Sequence, residues 1–414
     1  MIETVLFEDP NTRSRFLSAP CLREREQYLY HLMRRGYGPG YLRVTSGLML
    51  RAIQFLGLTK LRMVQLEEIE RATQAWTAYR GPDRRGTVGE TTVRFPRVAQ
   101  NWLRFHNRLA VPAAPAHPYE MEITDFREFL RRTNGASAGT IHGYSTRAKV
   151  FLSWLVAEEG ELSRVTLNEV DEFLEAKRAE GRSLATIACY AQALRAFFLY
   201  AEAHGWCRQG LARGIRKPAV PKYDAAPRGP KWGDVRRLLR YESKRTSVLS
   251  LRAHAILLLC SIYALRSSEV TGLRLIDIDW REETFCVKRA KRGGYQRYPL
   301  QYEVGDAILC YLKVRPRCAC RNVFVTFQQP HRPITSFGMW NIVSRRFKAL
   351  GIESKCRGPH ALRHACATQL LKKGTPLKDI SDFLGHRDAK AVGVYAKFDT
   401  RSLRQIAALS LKGL

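Results

Sequence analysis

The sequence predicts a mainly α-helical fold in several domains, with one small β-hairpin in the C-terminal half. Three observations carry this. The chain has 414 residues, 45% of them apolar, which is more than one ordinary core accommodates and enough to fill two or three. Three stretches share one helical layout. A single segment, "FCVKRAKRGGYQRYPL", reads as two short strands folded back around Gly293 and Gly294.

The shared layout begins at Gly36 ("GYGPGYLRVTSGLMLRAIQF"), Gly135 ("GASAGTIHGYSTRAKVFLSW") and Gly181 ("GRSLATIACYAQALRAFFLY"). Each has a glycine-led turn opening a helix with apolar residues at helical spacing. Tyr41, Thr140 and Thr186 occupy one equivalent position; Thr45, Tyr144 and Tyr190 a second; Phe55, Trp154 and Tyr200 a third. Any amphipathic helix after a glycine turn has some of this character, but three gapless matches favour related helical hairpins. The first copy falls in an N-terminal helical region, residues 1–108. "LAVPAAPAHP" then reads as a Pro/Ala linker. The second and third copies lie close together and make an all-helical domain over 119–208.

A second connection, residues 209–230, follows. Between Cys207 and Arg240 stand ten Lys/Arg and two Asp, a net +8, and "RKPAVPKYDAAPRGPKW" has four prolines. This reads as an extended basic strand of chain that lies along a phosphate backbone, against the plainer reading of a solvated linker. The final domain, 231–414, is mixed. "KWGDVRRLLRYESK" and "RAHAILLLCSIYAL" read as helices, the second one buried. "HALRHACATQLLKKG" starts a helix after Pro359 that stops at Gly374, and "PLKDISDFLGH" is a helix ending at Gly385. "TRSLRQIAALSLKGL" is a short amphipathic tail.

Charge bounds the partner. Lys plus Arg is 69 against 38 Asp plus Glu, a formal +31; a chain so basic points to a polyanion, and nucleic acid is the first choice. No run of about 18 apolar residues appears, so no membrane contact is expected, and the opening segment lacks the basic-then-apolar shape of a secretion signal. Ten cysteines follow no disulfide framework, which suits a reducing cytoplasm. Cys318 and Cys320 have no second pair beside them and read as part of a turn rather than a zinc site.

The C-terminal half holds a set of side chains that makes sense together. A tyrosine, with an ordinary pKa near 10, is a poor nucleophile at neutral pH. To attack a phosphodiester it needs cations that stabilise charge on the non-bridging oxygens and an acid that protonates the departing sugar oxygen. Arginine forks, a lysine and histidines supply both. Arg266 follows the apolar helix; Lys291 lies in the hairpin; His360 and Arg363 are three apart on one helix; His386 follows Gly385; Tyr395 comes nine residues later. Singly, each has a plainer reading. Arg266 pairs with Glu269, His360 caps a helix, and His386 and Tyr395 fill a core.

These residues resemble the signature of the tyrosine recombinase (phage integrase) family: an early Arg, a hairpin Lys, His-x-x-Arg, a His or Trp, and a nucleophilic Tyr. "YALRSSEVTGLRLIDID" is similar to the first Arg box, with Glu269 at its acidic position. "AKRGGYQRYPL" is similar to the Lys hairpin with its Pro-Leu end. "HALRHACATQLLKKGTPLKDISDFLGHRDAKAVGVYAK" is similar to the second box nearly throughout. The resemblance covers roughly residues 120–414. One departure is "ALR" where "TGLR" is commoner. Alignment to the Pro-Leu end selects Lys291, with Lys288 as second choice.

The resemblance implies all-helical N-terminal and core-binding domains and a mixed α+β catalytic domain. It implies a site-specific recombinase or integrase that cuts and rejoins DNA through a 3′-phosphotyrosine at Tyr395, with no metal, ATP or other cofactor. Its partners would be double-stranded DNA carrying recombination sites, copies of itself as a dimer on a site and a tetramer in synapsis, and accessory proteins. The cell compartment would be the cytoplasm, at the bacterial nucleoid. The extra N-terminal region leans toward a mobile element; it would bind accessory DNA, extend the clamp or mediate subunit contacts. The tail would dock on its own domain or on a neighbouring subunit. Two alternatives remain at this stage: a type IB topoisomerase-like relaxer, and a DNA-binding regulator or architectural protein that does not cut.

Overall fold

The computed structural model describes residues 6–80, 88–110, 117–133, 136–220, 229–289 and 294–385. Lys291, His386, Tyr395 and the C-terminal tail lie outside these residues. Contacts divide the chain into one unit over 112–224 and a second made of 1–111 with 225–414. The second unit holds two large, separate hydrophobic cores and a smaller cluster round Ala264, Leu371 and Ile380.

In the N-terminal region, helices α1 (Pro10–Ser18), α2 (Leu22–Arg34), α3 (Pro39–Phe55), α4 (Leu66–Arg80) and α5 (Val88–Phe105) surround a core that includes Phe16, Leu29, Met49, Phe95 and Trp102. Strands β1 (Val64–Gln65) and β2 (Leu109–Ala110) pair in parallel. The region is therefore not wholly helical, and the first two residues of the expected Pro/Ala linker are tied back to it.

The unit over 112–224 contains α6 (Glu120–Thr133), α7 (Ala138–Ala157), α8 (Leu167–Ala179), α9 (Leu184–Ala203) and the short α10 (Leu211–Gly214). Here two of the three similar stretches are structurally equivalent. Ser137 and Ser183 cap α7 and α9, accepting from the amides of Thr140 and Thr186 at 3.2 and 3.3 Å. A side-chain oxygen there satisfies one of the donors a helix start leaves open, about 1 kcal/mol each. The first stretch differs: α3 starts on Gly38 and Pro39 with no side-chain cap. Phe126, Phe151, Phe173, Phe197 and Phe198 fill the centre, with Phe173 and Phe198 each meeting Phe151 edge to face. Among the described residues α9 is the one helix long and apolar enough to cross a membrane; its Leu194, Phe197 and Phe198 are buried in this core. Leu211, Ala212 and Ile215, inside the expected linker, are buried in the same core. The Glu202 carboxylate accepts from the Ala212 amide at 2.6 Å and so helps fix the segment, and this unit's packing runs on to Ile215.

The C-terminal region is built round α12 (Val248–Ile262), with Ile256, Leu257 and Leu259 wholly buried. Each such side chain contributes about 1.5–3 kcal/mol of burial, which is why an apolar run without amphipathic period belongs at the centre. Against it pack α11 (Trp232–Ser243), α14 (Tyr302–Val314), α15 (Ser336–Ala349) and α16 (Pro359–Lys372). Short α13 (Ser267–Gly272) leads to an antiparallel sheet of β3 (Ile278–Asp279), β4 (Thr284–Lys288) and β5 (Tyr295–Pro299), in that spatial order. Lys288 pairs with Tyr295, which confirms the hairpin expected from the paired glycines. Helix α17 (Leu377–Leu384) ends on Gly385, at φ 62°, a left-handed stop that glycine takes without steric cost.

Candidate active site

Arg266 sits at the N-cap of α13, where the chain turns out of the buried α12. Its backbone amide and its Nη1 donate to the two oxygens of Glu269, at 2.8 and 2.9 Å. Glu269 is only 3% exposed, and Arg289 Nη1 donates to it as well, at 3.0 Å. Burial pushes the Glu269 carboxyl up. The Arg266 amide and the Arg289 and Arg266 guanidiniums together pull it down further, so it lies below the ordinary carboxylate value and is ionised at neutral pH.

Arg363 lies in the second turn of α16 and is 5% exposed. Its Nη1 donates to the carbonyl of Ala264 at 2.6 Å and its Nη2 to that of Leu384 at 2.7 Å. Arg266 Nη2 donates to the next carbonyl, Gly385, at 3.3 Å. The two guanidiniums predicted from sequence thus meet at the C-terminal end of α17. His360, one turn before Arg363, is exposed at the start of α16. Lys288, the alternative to Lys291, is exposed at the end of β4.

Four consecutive carbonyls at the end of α17 receive side chains: Asp382 from Gln296, Phe383 from Arg289 and Tyr298, Leu384 from Arg363, and Gly385 from Arg266. The last carbonyls of a helix have no partner within it and carry its negative pole, so cations there are doubly suited. Gly385 is required by contact as well as by φ: a Cβ there would stand 2.6 Å from Arg289 Nε.

Arg289 and Tyr298 belong to this arrangement, and the sequence reading passed over them. Arg289 is 4% exposed. Tyr298 is buried, which pushes its phenol up to about 12. The signal was the period of β4: Phe285 and Val287 point into the core, so the next inward position falls on Arg289.

Ala264 explains the departure in the first Arg box. Its φ is +51°, the region where glycine is at ease, and Ala264 stands where the commoner pattern has Gly. A left-handed non-glycine residue costs about 1–2 kcal/mol. The methyl, wholly buried beside Leu371, Ile380 and Leu384, returns about 0.8 kcal/mol, and the stiffer unfolded chain about 0.4–1 kcal/mol. Ala264→Gly is therefore expected to change unfolding free energy by less than about 1 kcal/mol. Ala264→Val, β-branched at positive φ, is expected to lower it by more than about 2 kcal/mol. Urea unfolding of the two variants checks this.

A buried carboxylate orients one guanidinium, and a second guanidinium is gathered at the same helix end, in a chain of formal charge +31; such forks suit phosphate oxygens. Comparison with known proteins makes this specific. The model of the "Phage integrase family" matches residues 233–401, and that of the "Phage integrase, N-terminal SAM-like domain" matches 123–205. "Putative integrase/recombinase y4rA" of Sinorhizobium fredii is 33% identical over 74% of this chain and 75% of its own length. "Tyrosine recombinase XerD" of Listeria monocytogenes is 29% identical over 69% of this chain and 96% of its own. Among solved structures, the XerH site-specific recombinase bound to palindromic difH substrate superposes with a TM-score of 0.55 at 17% identity, covering 83% of this chain and 96% of that one. The Tn1549 transposon integrase, in complex with transposon right end DNA, gives 0.53 at 20%, covering 70% and 99%. The last two show the shared fold. The chain belongs to the phage integrase family and is a site-specific tyrosine recombinase, an enzyme that cleaves and rejoins DNA.

Proposed function

We propose that Tyr395 is the nucleophile and that Arg266, Lys291, His360, Arg363 and His386 surround the phosphate it attacks. The phenol oxygen forms a bond to phosphorus while the bond to the 5′-oxygen breaks, leaving a 3′-phosphotyrosine and a free 5′-hydroxyl. Arg266 and Arg363 hold the non-bridging oxygens. Lys291, with Lys288 as second choice, gives a proton to the 5′-oxygen. His360 and His386 hydrogen-bond the phosphate and assist movement of the phenol proton. The covalent link keeps the bond energy, so a 5′-hydroxyl from another duplex reseals it.

One observation carries this reading. Arg363 and Arg266 donate to the consecutive carbonyls of Leu384 and Gly385, and the next residue in the chain is His386. The substrate is double-stranded DNA with recombination sites. The charge of +31 supports this, as do the DNA complexes named for the XerH and transposon integrase structures. The biological setting is a mobile element, the protein acts inside the cell, and synapsis brings a dimer on each site into a tetramer, with accessory proteins as further partners. Separate cores in the three regions support an N-terminal domain, a core-binding domain and a catalytic domain (231–414), with the N-terminal domain extended from 108 to Ala110, the core-binding domain extended from 208 to Ile215, and the basic connection correspondingly shortened. The test is a suicide duplex, nicked so that the short 5′-hydroxyl strand diffuses away after cleavage. The parent protein traps itself on it as an adduct that survives denaturant, and Tyr395→Phe does not.

A further inference from the structure

We propose that Arg289 is a positioning residue for the recombination reaction, holding the Glu269–Arg266 pair and the end of α17 in one frame. The inference rests on the proposed function above, in that Arg266 is taken to contact the phosphate. Arg289 bonds three parts of the arrangement at once. Its Nη1 reaches the Glu269 carboxylate at 3.0 Å. Its Nε reaches Gln296 on β5 at 2.7 Å. Its Nη2 reaches the carbonyl of Phe383 at 2.8 Å and also meets the Tyr298 hydroxyl. The guanidinium carbon lies 5.4 Å from the centre of the Tyr298 ring, within cation–π range.

These contacts divide the labour at Glu269. One carboxylate edge faces Arg266, and the other is shared by the Arg266 amide and Arg289. Without Arg289 the carboxylate would keep, among the described residues, Arg266 as its cationic partner, and the α17 end would lose the tie that joins it to the sheet through an arginine. Arg266 would then be drawn toward Glu269 rather than shared between Glu269 and the Gly385 carbonyl. A planar fork with five donors does this work; an ammonium serves fewer acceptors from one point. Arg289, at 4% exposure, acts through Arg266 and the α17 end.

The test measures single-turnover cleavage of the suicide duplex at saturating DNA, the Kd for the same DNA, and thermal unfolding, for Arg289→Lys and Arg289→Met. Arg289→Lys keeps a cation beside Glu269 and guards against simple loss of folding. The expected result is a cleavage rate reduced at least tenfold in both variants, with Kd within threefold of the parent and, for Arg289→Lys, a cooperative unfolding transition. A folded Arg289→Lys protein cleaving within threefold of the parent rate would overturn the proposal. So would a cleavage loss matched in full by weaker DNA binding, or one that vanishes on lowering the assay temperature. Failure of the underlying reading is separate: a Tyr395→Phe protein that still forms adducts removes the assigned nucleophile whatever the Arg289 variants do.

Discussion

Tyr395→Phe is expected to yield no covalent protein–DNA adduct and no recombinants while binding its site like the parent. The substitution removes one oxygen atom and no charge at neutral pH. Nothing in DNA affinity depends on it to first order, because affinity for DNA comes mostly from cations against phosphates. The chemistry depends on it wholly. Phenylalanine offers no lone pair, and a covalent route without its nucleophile has no partial form. Gel shift should therefore give an unchanged Kd, and denaturing gels of trapped suicide reactions should show no shifted band. Mass spectrometry of the parent adduct should place the nucleotide on the peptide containing Tyr395. An adduct on another tyrosine, or a persisting band in the variant, would remove the assignment.

Arg266→Ala is expected to lower the cleavage rate at saturating DNA by about 10²–10³-fold, from loss of one preorganised group at the developing charge. Two effects compete in this variant. The phosphate loses a fork, and Glu269 loses one of the two cations that meet it among the described residues. Losing a partner of a buried pair commonly costs about 3–5 kcal/mol, but Arg289 still meets the carboxylate at 3.0 Å, and the amide of residue 266 still donates to it. The folded protein should survive with reduced stability, and DNA binding should change little. Arg266→Lys should recover part of the rate, because charge remains while the fork that meets both Glu269 and Gly385 does not. Single-turnover kinetics of the three proteins, with calorimetry as the control for folding, tests the ordering.

Much of this was legible in the sequence where one local rule dominates. The buried α12 announced itself by an apolar run, α16 and α17 by proline and glycine at their ends, and the hairpin by paired glycines. Arg266 and Arg363 could be picked because the boxes around them resemble those of the tyrosine recombinase family, whose phosphate chemistry calls for forks at separated points in one chain. Arg289 could not be chosen over Lys288 and Arg292 on charge alone. The alternation of β4, with Phe285 and Val287 inward, marks Arg289 as the next inward position; its partner there, Glu269, is the tertiary fact the sequence does not name. The burial of Leu211 and Ile215 was hidden for a similar reason. Proline and charge dominate the composition of that stretch, whereas the burial of Leu211 and Ile215 and the bond that the Ala212 amide donates to Glu202 depend on α9, a helix of quite different sequence pattern. The parallel pairing of Val64–Gln65 with Leu109–Ala110 joins segments too short to have any period.

The grip on α17 is exerted on main-chain oxygen, and this bears on how the protein can change. A guanidinium holding a carbonyl is indifferent to the side chain that residue carries. Asp382, exposed to solvent, is free to drift through substitution without loosening the hold, and recombination by Asp382→Ser should run at the parent rate in a plasmid excision assay. Descendants of this chain can therefore remodel the outer surface of that helix for new neighbours while the geometry beneath it is inherited unaltered.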